Sequence, residues 1–256
     1  VLLQDGRVLL VGGSGTGGGV NVEIYDPATG TWSVTGSLNV TRRQFSINVL
    51  NDGRVLVAGN SACVSSAEIY NPATGTWTLT GSMVNGLRYN VGALLTNGNV
   101  ISVNGRIFDC TAGVTISKTT ELYNVAAGTW SSTGQTVIER QKHRIVTLLN
   151  GTPMVVGGGQ NNLDTTPIAE LYDVNTGTWT ATGSMTAKKA DFEMKVLPSG
   201  KVIMAGGTTL GSSTNQTNTS EIYDPVAGTW SSAGTFTTVR YFHRSAVLAD
   251  GSISED

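Results

Sequence analysis

Five tryptophans, Trp32, Trp77, Trp130, Trp179 and Trp230, each close one phrase, running from E-I-Y-D-P-A-T-G-T-W in the first copy to E-I-Y-D-P-V-A-G-T-W in the last. Glu23, Glu68, Glu121, Glu170 and Glu221 stand nine residues before them every time. A period near fifty residues, kept five times, makes the chain an array of one supersecondary unit. Its low charge (13%) and 33 glycines favour short strands joined by tight turns over helices.

Other landmarks are spaced as strictly. Seven residues separate the turn glycines Gly6, Gly53, Gly98, Gly151 and Gly200 from Gly13, Asn60, Gly105, Gly158 and Gly207. Twenty-one separate each Trp from the next turn glycine, the last being Gly251. The remaining interval, up to the Glu, measures 10, 8, 16, 12 and 14 residues, so one loop absorbs all the length variation.

Local signals divide each unit into four strands, A to D. Apolar segments such as 46–50 and 93–95 end at D-G, N-G or S-G, which mark hairpin turns because glycine accepts a positive φ. Strand B follows as V-L-L-V, V-L-V-A, V-I-S-V, M-V-V-G or V-I-M-A, runs that suit a strand covered on both faces. After the variable loop come E-[IL]-Y as strand C, a glycine turn, and T-W opening strand D.

Four antiparallel strands per repeat, the diglycines Gly12-Gly13, Gly157-Gly158 and Gly206-Gly207, and Tyr25, Tyr70, Tyr123, Tyr172 and Tyr223 ahead of the five tryptophans resemble kelch repeats. The wording is similar to the bacterial kelch and galactose-oxidase central-domain kind. The resemblance implies an all-β kelch-type β-propeller in a single domain. Its repeats cover about 1–42, 43–87, 88–140, 141–189 and 190–240, followed by a lone strand in 241–256. That strand could close a five-bladed ring beside strand B of the first repeat, or the chain could be part of a six- or seven-bladed one. Two repeats depart from the diglycine, with Gly59-Asn60 and Asn104-Gly105, although Asn also tolerates the left-handed region. The recurring Glu, Tyr and Trp are read as structure: the aromatics as packing between repeats, the Glu as an acceptor for backbone or Arg donors.

Up-and-down alternation sends the variable B–C loops and the D–A connections to one end of each blade, the top. Binding residues sit on loops that a rigid scaffold can spare for change. Ten of the sixteen basic residues fall in the D–A connection or just beyond, among them Arg42, Arg43, Arg88, Arg140, Lys142, Arg144, Lys189, Arg240 and Arg244. Arg42, Arg140, Lys189 and Arg240 share the tenth position after a Trp. The expectation is a basic ring serving a glycan or protein ligand, through Arg42, Arg43, Arg88, Tyr89, Arg140, His143, Lys189, Arg240, Tyr241 and His243. The competing reading pairs each Arg with a Glu of its own or a neighbouring repeat. The 107–120 and 208–220 loops, rich in Ser, Thr, Asn and Gly, would add hydrogen bonding.

Catalysis finds less support. His143 and His243 occupy a slot that Phe45, Asn90 and Phe192 fill elsewhere, which reads as packing, and no Cys/His set has metal-ligand spacing. Neither a catalytic residue nor a metal or other cofactor is assigned. Glu139, Asp191 and Glu193 could act as acid or base in a carbohydrate-active alternative of the oxidase or sugar-isomerase type, and a purely structural scaffold is the third possibility. Cys63 and Cys110 occupy matching places in neighbouring repeats and could form a disulfide in an oxidising compartment. A net charge of −2 gives no case for nucleic acid, and no apolar run approaches the ~20 residues that insert into a membrane. The expected setting is extracellular or on a bacterial cell surface.

Overall fold

The computed structural model describes residues 1–13, 19–60, 64–109, 113–160, 164–209, 215–248 and 250–255. The described residues form an all-β protein of 22 strands without a helix. They divide into two compact units, Val1–Thr115 with Thr120–Ser132, and Ile116–Thr119 with Thr133–Asp256.

The first unit contains the first two repeats and most of the third. β1 (Val8–Val11), β2 (Val22–Asp26) and β3 (Thr31–Val34) make a three-stranded antiparallel sheet, with only a Leu2–Val8 bridge in place of strand A. β4 (Ser46–Val49), β5 (Val55–Ala58), β6 (Ala67–Asn71) and β7 (Thr76–Thr80) form the expected four-stranded sheet in sequential order. β5 is wholly buried, as its unbroken apolar run requires.

The third repeat differs. β8 (Leu87–Arg88) and β9 (Val91–Leu94) both pair with β10 (Val100–Asp109), which continues into β11 (Gly113–Asn124) and β12 (Thr129–Ser132). Much of the expected 107–120 loop is therefore strand. Val114, Thr115, Ile116, Thr119 and Thr120 are β-branched and lengthen the ladder where a loop was read from the hydroxyl content.

In the second unit, β13 (Arg144–Thr147) to β16 (Thr178–Thr182) enclose β14 (Pro153–Val156) and β15 (Ala169–Asp173) in one four-stranded sheet. β17 (Glu193–Val196), β18 (Val202–Ala205), β19 (Thr219–Asp224) and β20 (Thr229–Thr235) form another. The lone strand expected in 241–256 is instead a hairpin: β21 (Ser245–Val247) pairs with β22 (Ile253–Glu255). The D-G turn at Asp250-Gly251 lets the apolar segment pair locally.

Strands C and D are locked by their aromatic rows. Each Tyr lies opposite its Trp in the register, with ring centroids 5.0 to 5.3 Å apart and tilted, a favourable aromatic geometry. Asn104 stands at φ 50° where other repeats carry the first glycine of the pair, so this substitution keeps the corner in the left-handed region.

Successive repeats are joined by a recurring latch. The Tyr70 hydroxyl meets Thr35 Oγ1 at 2.7 Å, and Gly36 N–H donates to the Gly75 carbonyl at 3.0 Å. The Glu68 carboxylate accepts from Asn39 N–H (2.7 Å), Val40 N–H (3.1 Å) and the Arg42 guanidinium (3.0 Å). The same parts recur as Thr80–Tyr123, Gly81–Gly128 and Val84 N–H to Glu121. In the second unit they are Thr133–Tyr172, Gly134–Gly177 and Arg140–Glu170, then Thr182–Tyr223, Gly183–Gly228 and Lys189–Glu221.

Candidate functional site

The latch settles where much of the expected basic ring goes. Arg42 and Arg140 are wholly buried. Arg42 donates to the carbonyls of Gly59 (3.0 Å) and Ser66 (2.7 Å) besides Glu68, and Arg140 to those of Gly157 and Ile168 (both 2.8 Å) besides Glu170. Lys189, also buried, reaches Thr219 Oγ1 at 2.7 Å and Glu221 at 3.7 Å. These three are corrected from ligand-binding to structural: a buried cation is stable only when neighbouring acceptors surround it, and here acceptors meet every side-chain nitrogen but Arg140 Nε. Burial pushes the Arg42 and Arg140 pKa values down while the facing Glu holds them up, and a guanidinium stays charged throughout.

His143 and His243 are likewise buried, in the packing slot shared with Phe45, Asn90 and Phe192, so neither is presented to a ligand. Arg43 is exposed and Tyr241 half-buried, its ring 5.3 Å from Phe242. Arg240 is half-buried. Cys63 and Cys110 lie outside the described residues, as do 210–214 in the fifth repeat's variable loop.

The B–C corners and D–A connections do meet at one end of each sheet. Gly13 N–H donates to the Arg42 carbonyl (3.1 Å), Gly158 N–H to that of Lys189 (2.9 Å), and Gly207 N–H to that of Arg240 (2.8 Å). At this end one position stands out. The residues twelve after each Trp, Gln44, Tyr89, Lys142, Asp191 and Phe242, all hold φ between 53° and 59° without being glycine. Each such conformation costs about 1–3 kcal/mol and persists only where the surroundings over-determine it. Backbone bonds supply that hold: Tyr89 N–H to the Gln44 carbonyl (2.9 Å) in the first unit, Asp191 N–H to Lys142 (3.1 Å) and Phe242 N–H to Asp191 (3.0 Å) in the second.

In the first unit this row carries a cationic aromatic cluster. Arg88 and Arg106 lie opposite each other in the β8–β10 register. Their guanidinium carbons stand 4.7 and 5.7 Å from the centroid of the Tyr89 ring. Gln44 Nε2 donates to the Tyr89 hydroxyl at 2.9 Å, Gln44 Oε1 accepts from Arg88 Nε, and Arg88 also reaches the hydroxyl at 3.2 Å. Beneath it Asn90 is buried and donates to Ser102 Oγ (2.9 Å) and Ser46 Oγ (3.1 Å), fixing the connection that carries Arg88 and Tyr89.

The corresponding positions of the second unit carry acid–base pairs. Lys142 Nζ lies 3.3 Å from Asp191 and 5.8 Å from the centre of the Phe242 ring. Glu193 meets Arg144 at 3.5 Å and Arg244 at 3.8 Å. Burial raises the Asp191 pKa, with Lys142 pulling it back, and Asp191 Oδ1 is buried without a hydrogen bond among the described residues. Glu139, the third carboxylate of the enzymatic alternative, is half-buried.

Sequence reading missed Gln44, Arg106 and Phe242. Aligned by Trp, the twelfth position reads Gln, Tyr, Lys, Asp and Phe, between a mostly basic position ten and a packing position thirteen. Chemical diversity at one fixed slot of a repeat was the available signal. Arg106 follows the strand-B corner and gave none.

No family model and no curated protein matches the chain. Among solved structures it is similar to a fungal alcohol oxidase of the AA5 family, described as catalytically diverse and in complex with copper. The TM-score is 0.63 and the identity 17%, over 98% of this chain and 68% of that one. The likeness is one of all-β fold.

Proposed function

We propose that the chain is a non-catalytic binding module on a kelch-type β-propeller, taking a glycan or protein partner through a carboxylate or sulfate group. The observation that carries this reading is the Arg88–Tyr89–Arg106 cluster at the connector end. Two like charges over one ring repel, by about 1 kcal/mol at close range even in water. The ring face and Gln44 help to hold both guanidinium groups in place, where an incoming anion would receive planar donor forks. The repeating four-stranded sheets and the likeness to an AA5 oxidase fold support the propeller, and the resemblance to kelch repeats supports an extracellular or cell-surface bacterial setting.

The oxidase-like alternative, which the likeness to a copper-bound AA5 enzyme supports, would require a copper site, and Cys63 and Cys110 lie outside the described residues. Among the described residues no three His, Cys, Asp or Glu side chains gather as a metal set. Both histidines fill the slot that holds Phe45 and Phe192 in other repeats.

The test is binding to an array of neutral, carboxylated and sulfated oligosaccharides and acidic peptides, followed by calorimetry on any hit. Arg88→Ala and Arg106→Ala should each abolish retention of an anionic probe, while Arg7→Ala, paired with Asp5 at an A–B turn, should not. Failure to retain any anionic probe, or retention indifferent to both arginines, refutes the reading.

A further inference from the structure

Within each unit, the residue two before a turn glycine covers the turn glycine of the following repeat. Gln4 covers Gly53 and Asn51 covers Gly98 in the first unit, as Leu149 covers Gly200 and Pro198 covers Gly251 in the second. A Cβ added to those glycines would stand 3.0, 3.3, 3.3 and 3.6 Å from the covering side chain. The two joins of the first unit differ in what the covering amide does. Gln4 Nε2 donates to the carbonyls of Leu50 (3.4 Å) and Asn51 (3.2 Å), which ties the first turn to the second. Asn51 is one methylene shorter, and its side chain makes no hydrogen bond among the described residues. Beside it lies an open pocket of about 530 Å³, against about 270 Å³ at the join that Gln4 bridges.

The turns bordering this pocket differ too. Asp5 and Arg7 form an ion pair at 2.7 Å, as do Asp52 and Arg54. In the third repeat Asn97 and Asn99 replace both members. The turn itself is kept: Asn97 Oδ1 accepts from Asn99 N–H at 3.1 Å, as Asp52 Oδ1 does from Arg54 N–H. Asn99 Oδ1 accepts from Val125 N–H at 3.3 Å. The two amide nitrogens are left as donors that meet none of the described residues.

We propose that this pocket, lined by Asn51, Asp52, Arg54, Asn97, Asn99 and Val125, binds the ring of a neutral sugar. It lies at the other end of β9 from Arg88 and Tyr89, so it is separate from the anionic site proposed above. Asp52 and Arg54 cancel in charge, and the lining carries no other ion. Side-chain amides set donors and acceptors next to each other, the pattern that adjacent ring hydroxyls complete. Val125 and Ala126 add apolar surface for the C–H face of the ring, and the volume is that of a small-molecule site.

The test is titration of the intact chain with glucose, galactose, mannose, N-acetylglucosamine, lactose and cellobiose up to about 10 mM, followed by calorimetry and amide NMR. At least one sugar should bind and shift the resonances of Gly98 and Asn99. Asn51→Gln gives the second turn the reach of Gln4 and should close the pocket. Asn97→Asp installs the residue found in the first two turns, keeping the acceptor that holds the turn while removing the donor. Each should weaken binding by about tenfold, the effect of one hydrogen bond, with the circular dichroism unchanged. Arg7→Ala, at the first turn, should leave binding as it was. The proposal is overturned if no sugar of the panel binds, if binding is indifferent to both asparagine variants, or if the shifted resonances lie away from the third turn.

Discussion

Removing the Glu68 carboxylate should be among the most damaging single changes in the first unit. It accepts five hydrogen bonds: two from Asn39, one from Val40 N–H and two from Arg42. Neither it nor Arg42 has any exposed side-chain surface. Glu68→Ala would leave a guanidinium enclosed with two carbonyls and the Ser66 hydroxyl but no countercharge. Stranding one member of a buried ion pair costs about 3–5 kcal/mol, against a whole-domain stability of about 5–15 kcal/mol. Urea unfolding followed by tryptophan fluorescence should therefore show an early transition, with Trp77 reporting directly because Asn39 also donates to its carbonyl. Arg42→Met added to Glu68→Ala should recover part of the loss, since no cation is then stranded. Asp52→Ala is the control: its pair with Arg54 is closer, 2.7 Å against 3.0 Å, but 38% and 48% exposed, so the loss should stay within about 1 kcal/mol. If Glu68→Ala costs no more than Asp52→Ala, the latch is not what joins the repeats.

Two further perturbations probe the same device. Gly183→Ala should lower stability by about 1–3 kcal/mol in a thermal melt, because the new Cβ would overlap the Gly228 carbonyl of the next repeat. Gly183 is not in the left-handed region, so an unchanged melting temperature would refute the close approach itself. Glu121 holds its latch with Val84 and Asn85 donors, but Leu87 stands where other repeats carry a cation. Burial raises its pKa above the ordinary carboxylate value, so the folded state binds the proton more tightly than the unfolded one. Its contribution is full at pH below the unfolded value of 4.5 and is lost as pH rises through the folded value. Subtracting the pH–stability curve of Glu121→Gln from that of the native chain should isolate this fall, and a flat difference would refute it.

Much of the fold was legible because the repeat states its own geometry. Constant spacing from turn glycine to strand end and from Glu to Trp gave the strands of the second, fourth and fifth repeats nearly to the residue. The third repeat escaped because its inserted residues were judged by hydrogen-bonding capacity, whereas β-branching at Val114, Ile116 and the neighbouring threonines decided their conformation. The glycines four residues after Trp were present in every repeat and passed unread. For Gly36, Gly81, Gly134 and Gly183 the reason lies in a neighbouring carbonyl that no single-repeat pattern displays.

The site was misjudged for a related reason, and the error carries a rule. Arg42, Arg140 and Lys189 recur at one position, and so does the Glu nine residues before each Trp. Two opposite charges recurring at constant spacing in a stacked array are brought together at every junction, where burial obliges them to pair. Recurrence therefore argues for the scaffold. The position that varies, from Gln44 through Tyr89 and Lys142 to Asp191 and Phe242, keeps one costly backbone conformation while changing its chemistry each time. A constant φ with a changing side chain is what a fixed platform with individual contacts requires. Arg106 occupies no recurring basic slot, and Arg88 shares its slot with Arg43 alone, so these are the cations to follow for ligand recognition.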